Sequence, residues 1–159
     1  MVKAAQASER VAKSAVTTSP EERTYLDLLR TTEQLSRAFD DLLKEADLSQ
    51  TQYNVLRILR GAPDGLPCGE IGSKMITRDP DITRLLDRLE RRELIARARA
   101  AKDRRVVVAH ITEQGLHLLA ALDQPVQNTH RRMLGHLGTE RQKALSELLA
   151  VCRAGIKAE

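Results

Sequence analysis

The chain has 159 residues, 42% of them hydrophobic and 30% charged, which is ordinary for one globular domain with a core of its own. Only 2% of the residues are aromatic, which argues against modules that stack unpaired bases on exposed rings. The net charge of +4 is compatible with a polyanionic partner, and the scarcity of rings favours duplex over single-stranded nucleic acid.

Cysteine usage and apolar runs bear on the compartment. Cys68 and Cys152 are too few for a disulfide framework, which indicates a reducing compartment. No apolar run approaches the roughly 18 residues that span a membrane, and the start of the chain lacks the apolar segment of a secretory signal. We therefore expect a cytoplasmic protein with no membrane partner, and a mobile or partly helical arm over residues 1–18.

Two long helices are predicted first. Ser19 and Pro20 suit the cap and the first position of a helix, and apolar residues at helical spacing continue it to about residue 46. A capping box from Ser49 to Gln52 opens the next helix, which ends at Gly61.

Two shorter helices follow, separated by a tight turn. The first begins at Pro67, and the second begins with Asp79 as its N-cap and Pro80 in its first turn. An apolar stripe at i, i+3, i+4 and i+7 is predicted to face the core in the second: Ile82, Leu85, Leu86 and Leu89.

After Glu93 the hydrophobic period changes from 3.6 to about 2 residues. Residues 94–99 alternate, residues 106–111 are rich in β-branched side chains, and a charged stretch joins them, so we predict a β-hairpin with a basic tip. Residues 91–105 carry seven basic and two acidic side chains, a net of +5, while the rest of the chain nets to −1. Further helices are expected after Thr112 and, through a third capping box, after Thr139.

Two helices joined by a tight turn and followed by a basic hairpin are typical of a winged helix-turn-helix. A helix fits the major groove of B-form DNA, and arginines at a hairpin tip suit the negative potential of a narrow minor groove. Residues 80–92, PDITRLLDRLERR, resemble the recognition helix of the MarR family. The Asp-Arg-Arg of residues 103–105, with ITEQG at 111–115, resembles that family's wing and following helix, and the similarity extends over residues 22–155.

The resemblance implies a fold that is mainly α with a small β-hairpin: a winged helix-turn-helix with long N- and C-terminal dimerisation helices. We divide the chain into the arm, a dimerisation helix at 19–47, a DNA-binding lobe at 48–111 and C-terminal dimerisation helices at 112–159. A two-fold homodimer predicts pseudo-palindromic operators with half-sites about 10 base pairs apart, and repression is the expected mode of regulation. The resemblance further implies that a small phenolic or anionic ligand relieves DNA binding from a site between the dimer helices and the lobe.

The predicted DNA-binding residues are Lys74, Arg78, Asp81, Thr83, Arg84, Arg88, Lys102, Arg104 and Arg105. Base contacts are assigned to Thr83, Arg84 and Arg88, phosphate contacts to Lys74 and Arg78, and the wing to the last three. Asp81 either reads a cytosine amino group or points away from the DNA. Arg104 and Arg105 are both candidates for the minor groove; in the alternative, Arg105 pairs with Asp103 to stiffen the wing while Arg104 inserts.

Glu93 departs from the family pattern, which usually has glycine at this position. A left-handed residue other than glycine costs about 1 kcal/mol, so we expect the helix to end differently here.

No catalytic residue, metal or cofactor is expected. The four histidines lack zinc-like spacing, and the chain has no phosphate loop, nucleophile elbow or metal-binding helix motif, so we do not expect an enzyme. For Cys68 and Cys152, packing is favoured over oxidant sensing. The rival hypothesis is a winged-helix protein-interaction module, which would not require a basic wing.

Overall fold

The computed structural model describes residues 18–77, 81–100 and 103–156. In chain order the elements are α1 (Pro20–Lys44), α2 (Gln50–Arg60), β1 (Leu66–Pro67), α3 (Cys68–Lys74), α4 (Ile82–Arg91), β2 (Ile95–Arg99), β3 (Val107–Ile111), α5 (Glu113–Leu134), a 3-10 turn (Gly135–Leu137) and α6 (Gly138–Gly155). The predicted fold class is confirmed. Across these ranges no helix has both the length and the hydropathy that crossing a membrane requires. Apart from residue 18, the predicted arm lies outside the described residues.

The chain divides into two compact units after Leu35. The described part of the first unit is the beginning of α1, which the predicted cap opens: the backbone N–H of Glu22 donates to Ser19 Oγ at 3.1 Å. The second unit, residues 36–159, contains the hydrophobic core. Its largest fully buried side chains come from the end of α1 and from α2, α3, α4, β2 and α5: Leu43, Val55, Leu56, Leu59, Ile71, Leu86, Leu89, Ile95 and Leu119.

Two of the predicted local signals appear as expected. The box at the start of α2 is complete, because Ser49 Oγ accepts from the Gln52 N–H and the Gln52 side chain accepts from the Ser49 N–H. The apolar stripe of α4 is buried, with Leu85, Leu86 and Leu89 at most 3% exposed.

The sheet has one strand more than the predicted hairpin. β1 pairs antiparallel with β3, Leu66 opposite Ala109 and Pro67 opposite Val108, and the strand order is β1-β3-β2. Pro67 has no N–H to donate, so its strand belongs at a sheet edge. A two-residue strand is too short to show a hydrophobic period, and the sequence pattern therefore did not reveal it.

The start of α4 corrects the predicted cap. The helix begins at Ile82, and the side chain of Asp81 accepts from the Arg84 N–H at 3.1 Å, so Asp81 is the N-cap. Asp79 and Pro80 lie outside the described residues. A carboxylate at this position satisfies one of the free N–H groups of the first turn.

The end of α4 also corrects an expectation, because Glu93 does adopt the left-handed conformation, with φ of 56°. The Leu94 N–H donates to the Leu89 carbonyl at 3.1 Å and the Glu93 N–H to the Glu90 carbonyl at 2.8 Å. This is the Schellman arrangement that normally carries glycine. The two bonds and the burial of Leu94, which is 2% exposed, offset the conformational cost at Glu93.

This helix end is bonded to elements on both sides. Thr112 Oγ1 donates to the Glu93 carbonyl at 2.6 Å, and its N–H donates to the Leu94 carbonyl at 3.1 Å, while the same hydroxyl accepts from the Gly115 N–H and caps α5. On the other side, the Arg92 guanidinium donates to the carbonyls of Ala46, at 3.1 Å, and Asp47, just beyond the end of α1.

The third capping box is not formed. α6 begins at Gly138 directly after the 3-10 turn, and no side chain caps it. Gln142 Nε2 instead donates to the carbonyl of Leu134 at 2.9 Å, so it closes the end of α5. Because the 3-10 turn leads into the helix, Thr139 lies inside α6 and not ahead of it.

We expect Gly115→Ala to destabilise the fold by about 2 to 3 kcal/mol, since overpacking against rigid backbone costs on this order. A Cβ at Gly115 would lie 2.3 Å from the Leu94 carbonyl oxygen, and backbone cannot swing aside. Denaturant unfolding followed by circular dichroism measures the change. Gly72→Ala is the control, because its Cβ meets nothing within 4 Å and should be neutral or stabilising. Equal stability of the two variants would contradict the close approach of α5 to Leu94.

Candidate nucleic-acid interface

The face of α4 opposite its buried stripe is rich in arginine. Spacing of i, i+3, i+4 and i+7 brings four residues onto it: Arg84, Asp87, Arg88 and Arg91. Thr83 and Arg88 are exposed, and the Arg88 side chain has no hydrogen bond or ion pair with any other described residue. Arg84 is also exposed, with its Nε 3.0 Å from Asp81 Oδ2. The three side chains predicted to contact bases therefore lie on the exposed surface of one helix.

The remaining predicted contacts of this lobe lie before α4. Lys74 is exposed in the last turn of α3. Arg78 lies outside the described residues. Asp81 is engaged within the protein as the helix cap and as the partner of Arg84.

The wing tip is organised by Asp103. Its Oδ1 accepts from the backbone N–H of Arg105 at 2.9 Å, and its carbonyl accepts from Val106 at 3.0 Å, which is an Asx-type turn. The carboxylate bonds the backbone of Arg105, and no ion pair joins it to the Arg105 guanidinium among the described residues. Arg104 and Arg105 are both exposed, while Lys102 lies outside the described residues. The turn thus projects two arginines into solvent.

Arg97 is a residue whose role the sequence did not reveal beyond its charge. Its Nη2 lies 2.5 Å from Asp87 Oδ1 and 2.6 Å from Glu90 Oε2, so strand β2 is tied to α4. Hydrogen bonds from Arg97 hold the pKa of the Glu90 carboxyl below its usual value. The strand pattern could have indicated this role. Arg97 shares its strand face with the buried Ile95, and an arginine on an inward face requires acidic partners.

A cavity of about 400 Å³ lies where α2 approaches the segment after α3. Phe39, Tyr53 and His130 form an aromatic wall, with Phe39 stacked on His130 and edge-on to Tyr53, both at 5.5 Å between ring centroids. The Arg57 guanidinium lies 5.8 Å from the centre of the Tyr53 ring. The other lining residues are Gln50, Thr51, Asn54, Ile58, Met75, Ile76 and Thr77.

The floor of the cavity is bonded to the turn that leads to α4. Asn54 Oδ1 accepts from the Ile76 N–H at 3.1 Å, and Ile76 itself is 89% exposed. A group bound in the cavity would therefore contact the segment between α3 and α4.

The two cysteines differ in burial. Burial raises the pKa of the Cys68 thiol, which disfavours the nucleophilic thiolate, and this supports packing as its role. Cys152 is exposed on α6, so the packing predicted for it is not observed within the single chain. Within the described ranges, no three His, Cys, Asp or Glu side chains lie together as metal ligands would.

Comparison with known proteins gives the family of this chain. Residues 48–107 match the model of the MarR family. The chain is 31% identical over 132 residues to the HTH-type transcriptional regulator MhqR of Bacillus subtilis, covering 79% of this chain and 89% of that protein.

Several solved structures are also similar to this chain. A MarR transcription factor from Planctomyces limnophilus is 37% identical, with a TM-score of 0.66 and coverage of 84% of this chain and 97% of that one. A mutant of E. coli MarR complexed with operator DNA is 23% identical, with a TM-score of 0.72 and coverage of 79% and 89%, and shares the fold. Together with the basic α4 and wing, these matches show that the chain belongs to the MarR family of winged helix-turn-helix transcription regulators.

Proposed function

We propose that the chain is a homodimeric repressor of a pseudo-palindromic operator, with α4 in the major groove and the wing tip in the minor groove. The observation that carries the proposal is the division of charge on the lobe at residues 48–111. The guanidinium groups of Arg88, Arg104 and Arg105 are exposed and have no partner among the described residues, whereas Asp81 is paired with Arg84 and Asp87 with Arg97. The surface is thereby left basic, as a phosphate backbone requires.

Specific roles follow from position. Thr83, Arg84 and Arg88 are proposed to contact bases, because side chains in the first turns of a recognition helix reach base edges. Lys74 and Arg78 are proposed to contact phosphates. Lys102, Arg104 and Arg105 are proposed to enter the minor groove, and the turn at Asp103 leaves the two arginines exposed for this contact.

The homodimer is supported by apolar surfaces that the single chain does not cover. α6 has no buried residue, and Leu148 and Val151 are 64% and 70% exposed on it. On α1, Tyr25 is 60% and Leu29 is 49% exposed. Removing such side chains from water is favourable by about 25 cal/mol for each Å² of apolar area. We propose that a second copy covers both surfaces, through the helices at 19–47 and 112–159. We also propose that the regulator acts in the cytoplasm.

The cavity is proposed to bind a phenolic or anionic effector. Phe39, Tyr53 and Met75 offer an apolar and aromatic surface, and Arg57 offers a cation for a carboxylate or phenolate. Because Asn54 holds the turn before α4, an occupant would shift the position of α4 relative to the groove and relieve DNA binding.

DNA binding is tested by fluorescence anisotropy with a labelled duplex from upstream of the chain's own gene and a scrambled duplex as reference. We expect sub-micromolar binding with a clear preference and a slope of log K against log salt of several units, about −0.9 per phosphate neutralised. Arg104→Ala with Arg105→Ala should weaken binding by about tenfold or more, since each lost groove contact costs 1 to 3 kcal/mol.

The matched control removes the same charge outside the lobe, by Arg131→Ala with Arg132→Ala in α5, and should leave affinity nearly unchanged once sedimentation shows that this variant has the mass of the native assembly. Unchanged affinity of the wing variant would remove the wing from the mechanism. If neither duplex binds at low salt, the protein-interaction module replaces the proposal.

The dimer is tested by sedimentation velocity. The native chain should sediment with the mass of two 17.8 kDa chains, and Leu148→Asp should shift it toward one, because a charge in an apolar interface is left without a partner. Ala150→Asp is the control, since helical spacing places it on the other side of α6 from Leu145 and Leu148. A monomeric native chain contradicts the proposed assembly.

The effector site is tested by titration calorimetry with 4-hydroxybenzoate, which combines a phenol and a carboxylate. Arg57→Met keeps the apolar bulk and removes the cation, so affinity should fall about tenfold or more, as expected for a lost charge-assisted hydrogen bond. Arg131→Met, on α5 but not lining the cavity, should bind as the native chain does. Failure of the native chain to bind at millimolar concentrations contradicts this ligand class.

A further inference from the structure

The acidic residue at the centre of the basic face of α4 has its partner on the wing strand. Asp87 lies between Arg84, three residues before it, and Arg91, four residues after it. Its Oδ1 is 2.5 Å from Arg97 Nη2. Among the described residues no ion pair joins the Asp87 carboxylate to either neighbouring arginine, although Arg91 Nε donates to the Asp87 backbone carbonyl at 3.2 Å. The carboxylate is therefore directed to β2 and not along its own helix.

Glu90 fixes the orientation of the Arg97 side chain. Its Oε1 accepts from the Arg97 backbone N–H at 3.0 Å, and its Oε2 accepts from Arg97 Nε at 2.9 Å. These bonds hold the guanidinium with its Nη2 toward Asp87. The Arg97 side chain is only 22% exposed, against 77% for Arg84, so it is poorly placed to contact DNA itself.

Loss of Arg97 would leave Asp87 to pair within α4. An acid four residues ahead of an arginine is in the favoured orientation for a helical ion pair, so Arg91 would be the first partner available. A pair with Asp87 would neutralise Arg91, as the pair with Asp81 does for Arg84, and so lower the positive charge of this surface. A carboxylate left unpaired there would also repel phosphates.

We propose that Arg97 is a positioning residue for DNA binding: it holds the Asp87 carboxylate on the wing side and so leaves the Nη groups of Arg91 available to the duplex. This inference rests on the proposed function, since it assumes that α4 faces DNA. It assigns Asp87 no contact with a base.

The test compares Arg97→Met, Arg97→Met with Asp87→Asn, and Arg97→Met with Glu90→Gln in the anisotropy titration on the upstream duplex. Methionine keeps the apolar stem of Arg97 and removes its charge. Affinity should fall about tenfold in the single variant, the size of one lost arginine contact. Most of that loss should be recovered when Asp87 becomes Asn. The Glu90→Gln double variant is the matched control and should stay weak, because Glu90 is outside the stripe of Arg84, Asp87, Arg88 and Arg91.

Two outcomes overturn the proposal. If the Asp87→Asn double variant is as weak as Arg97→Met, Arg97 acts by direct DNA contact or by shaping the wing. If Asp87→Asn with Arg97 retained lowers affinity, the carboxylate reads a base. The expected affinity of Asp87→Asn with Arg97 retained is at or above the native value. This variant still tests the proposal if thermal unfolding shows that Arg97→Met does not fold.

A readout without DNA separates failure of this inference from failure of the proposed function. Arg91 Nε is already bonded to the Asp87 carbonyl in the native chain, so the reporter is the set of Arg91 Nη protons. Their exchange with water, followed by NMR, should be slower in Arg97→Met than in the native chain, because the Asp87 carboxylate then pairs with Arg91. It should return to the native rate in Arg97→Met with Asp87→Asn. Equal exchange in all three proteins overturns the role of Arg97 whether or not the duplex binds.

Discussion

The placement of α4 depends on the backbone junction at its C-terminal end. There the left-handed Glu93 turns the chain, Thr112 bonds the carbonyls of Glu93 and Leu94, and Gly115 lets α5 approach the Leu94 carbonyl. Arg92 bonds the same helix end to the carbonyls beyond α1. These hydrogen bonds tie the end of α4 to the start of α5 and to the residues that follow α1. A displacement of the start of α5 or of the end of α1 would therefore be transmitted to α4.

The folded structure, and not the composition, determines which charged side chains of residues 48–111 are paired and which remain exposed. Asp81 serves the first turn of α4, and Asp87 is held by Arg97 from the neighbouring strand. Both acids lie close to arginines that the proposed function directs at DNA. Because opposite charges at contact distance form pairs wherever they can, the position of each acid decides which arginines remain for phosphates and bases.

One short segment, Ile76 and Thr77, both lines the cavity and leads toward α4. Asn54 bonds the backbone of Ile76, and Ile76 and Thr77 line the cavity just before α4. If the ligand and DNA prefer different arrangements of this segment, the ligand lowers DNA affinity by the same factor by which DNA lowers the affinity for the ligand. The structure thus provides a physical route between the two proposed sites.

Local signals in the sequence determined much of the architecture. The box at Ser49, the buried stripe of α4 and the change of period after Glu93 depend on neighbours within one or two turns, and the motif order at residues 80–115 was enough for the family. Tertiary structure alone decided the rest: β1 at Leu66 pairs with a strand some forty residues later in the chain, so it carries no local period. The same holds for the Arg97 pairs and for the aromatic cavity, which joins α1, α2 and α5. Glu93 took the left-handed conformation despite its intrinsic cost, since burial of Leu94 and bonds from Thr112, contacts distant in sequence, outweigh a local preference of about 1 kcal/mol.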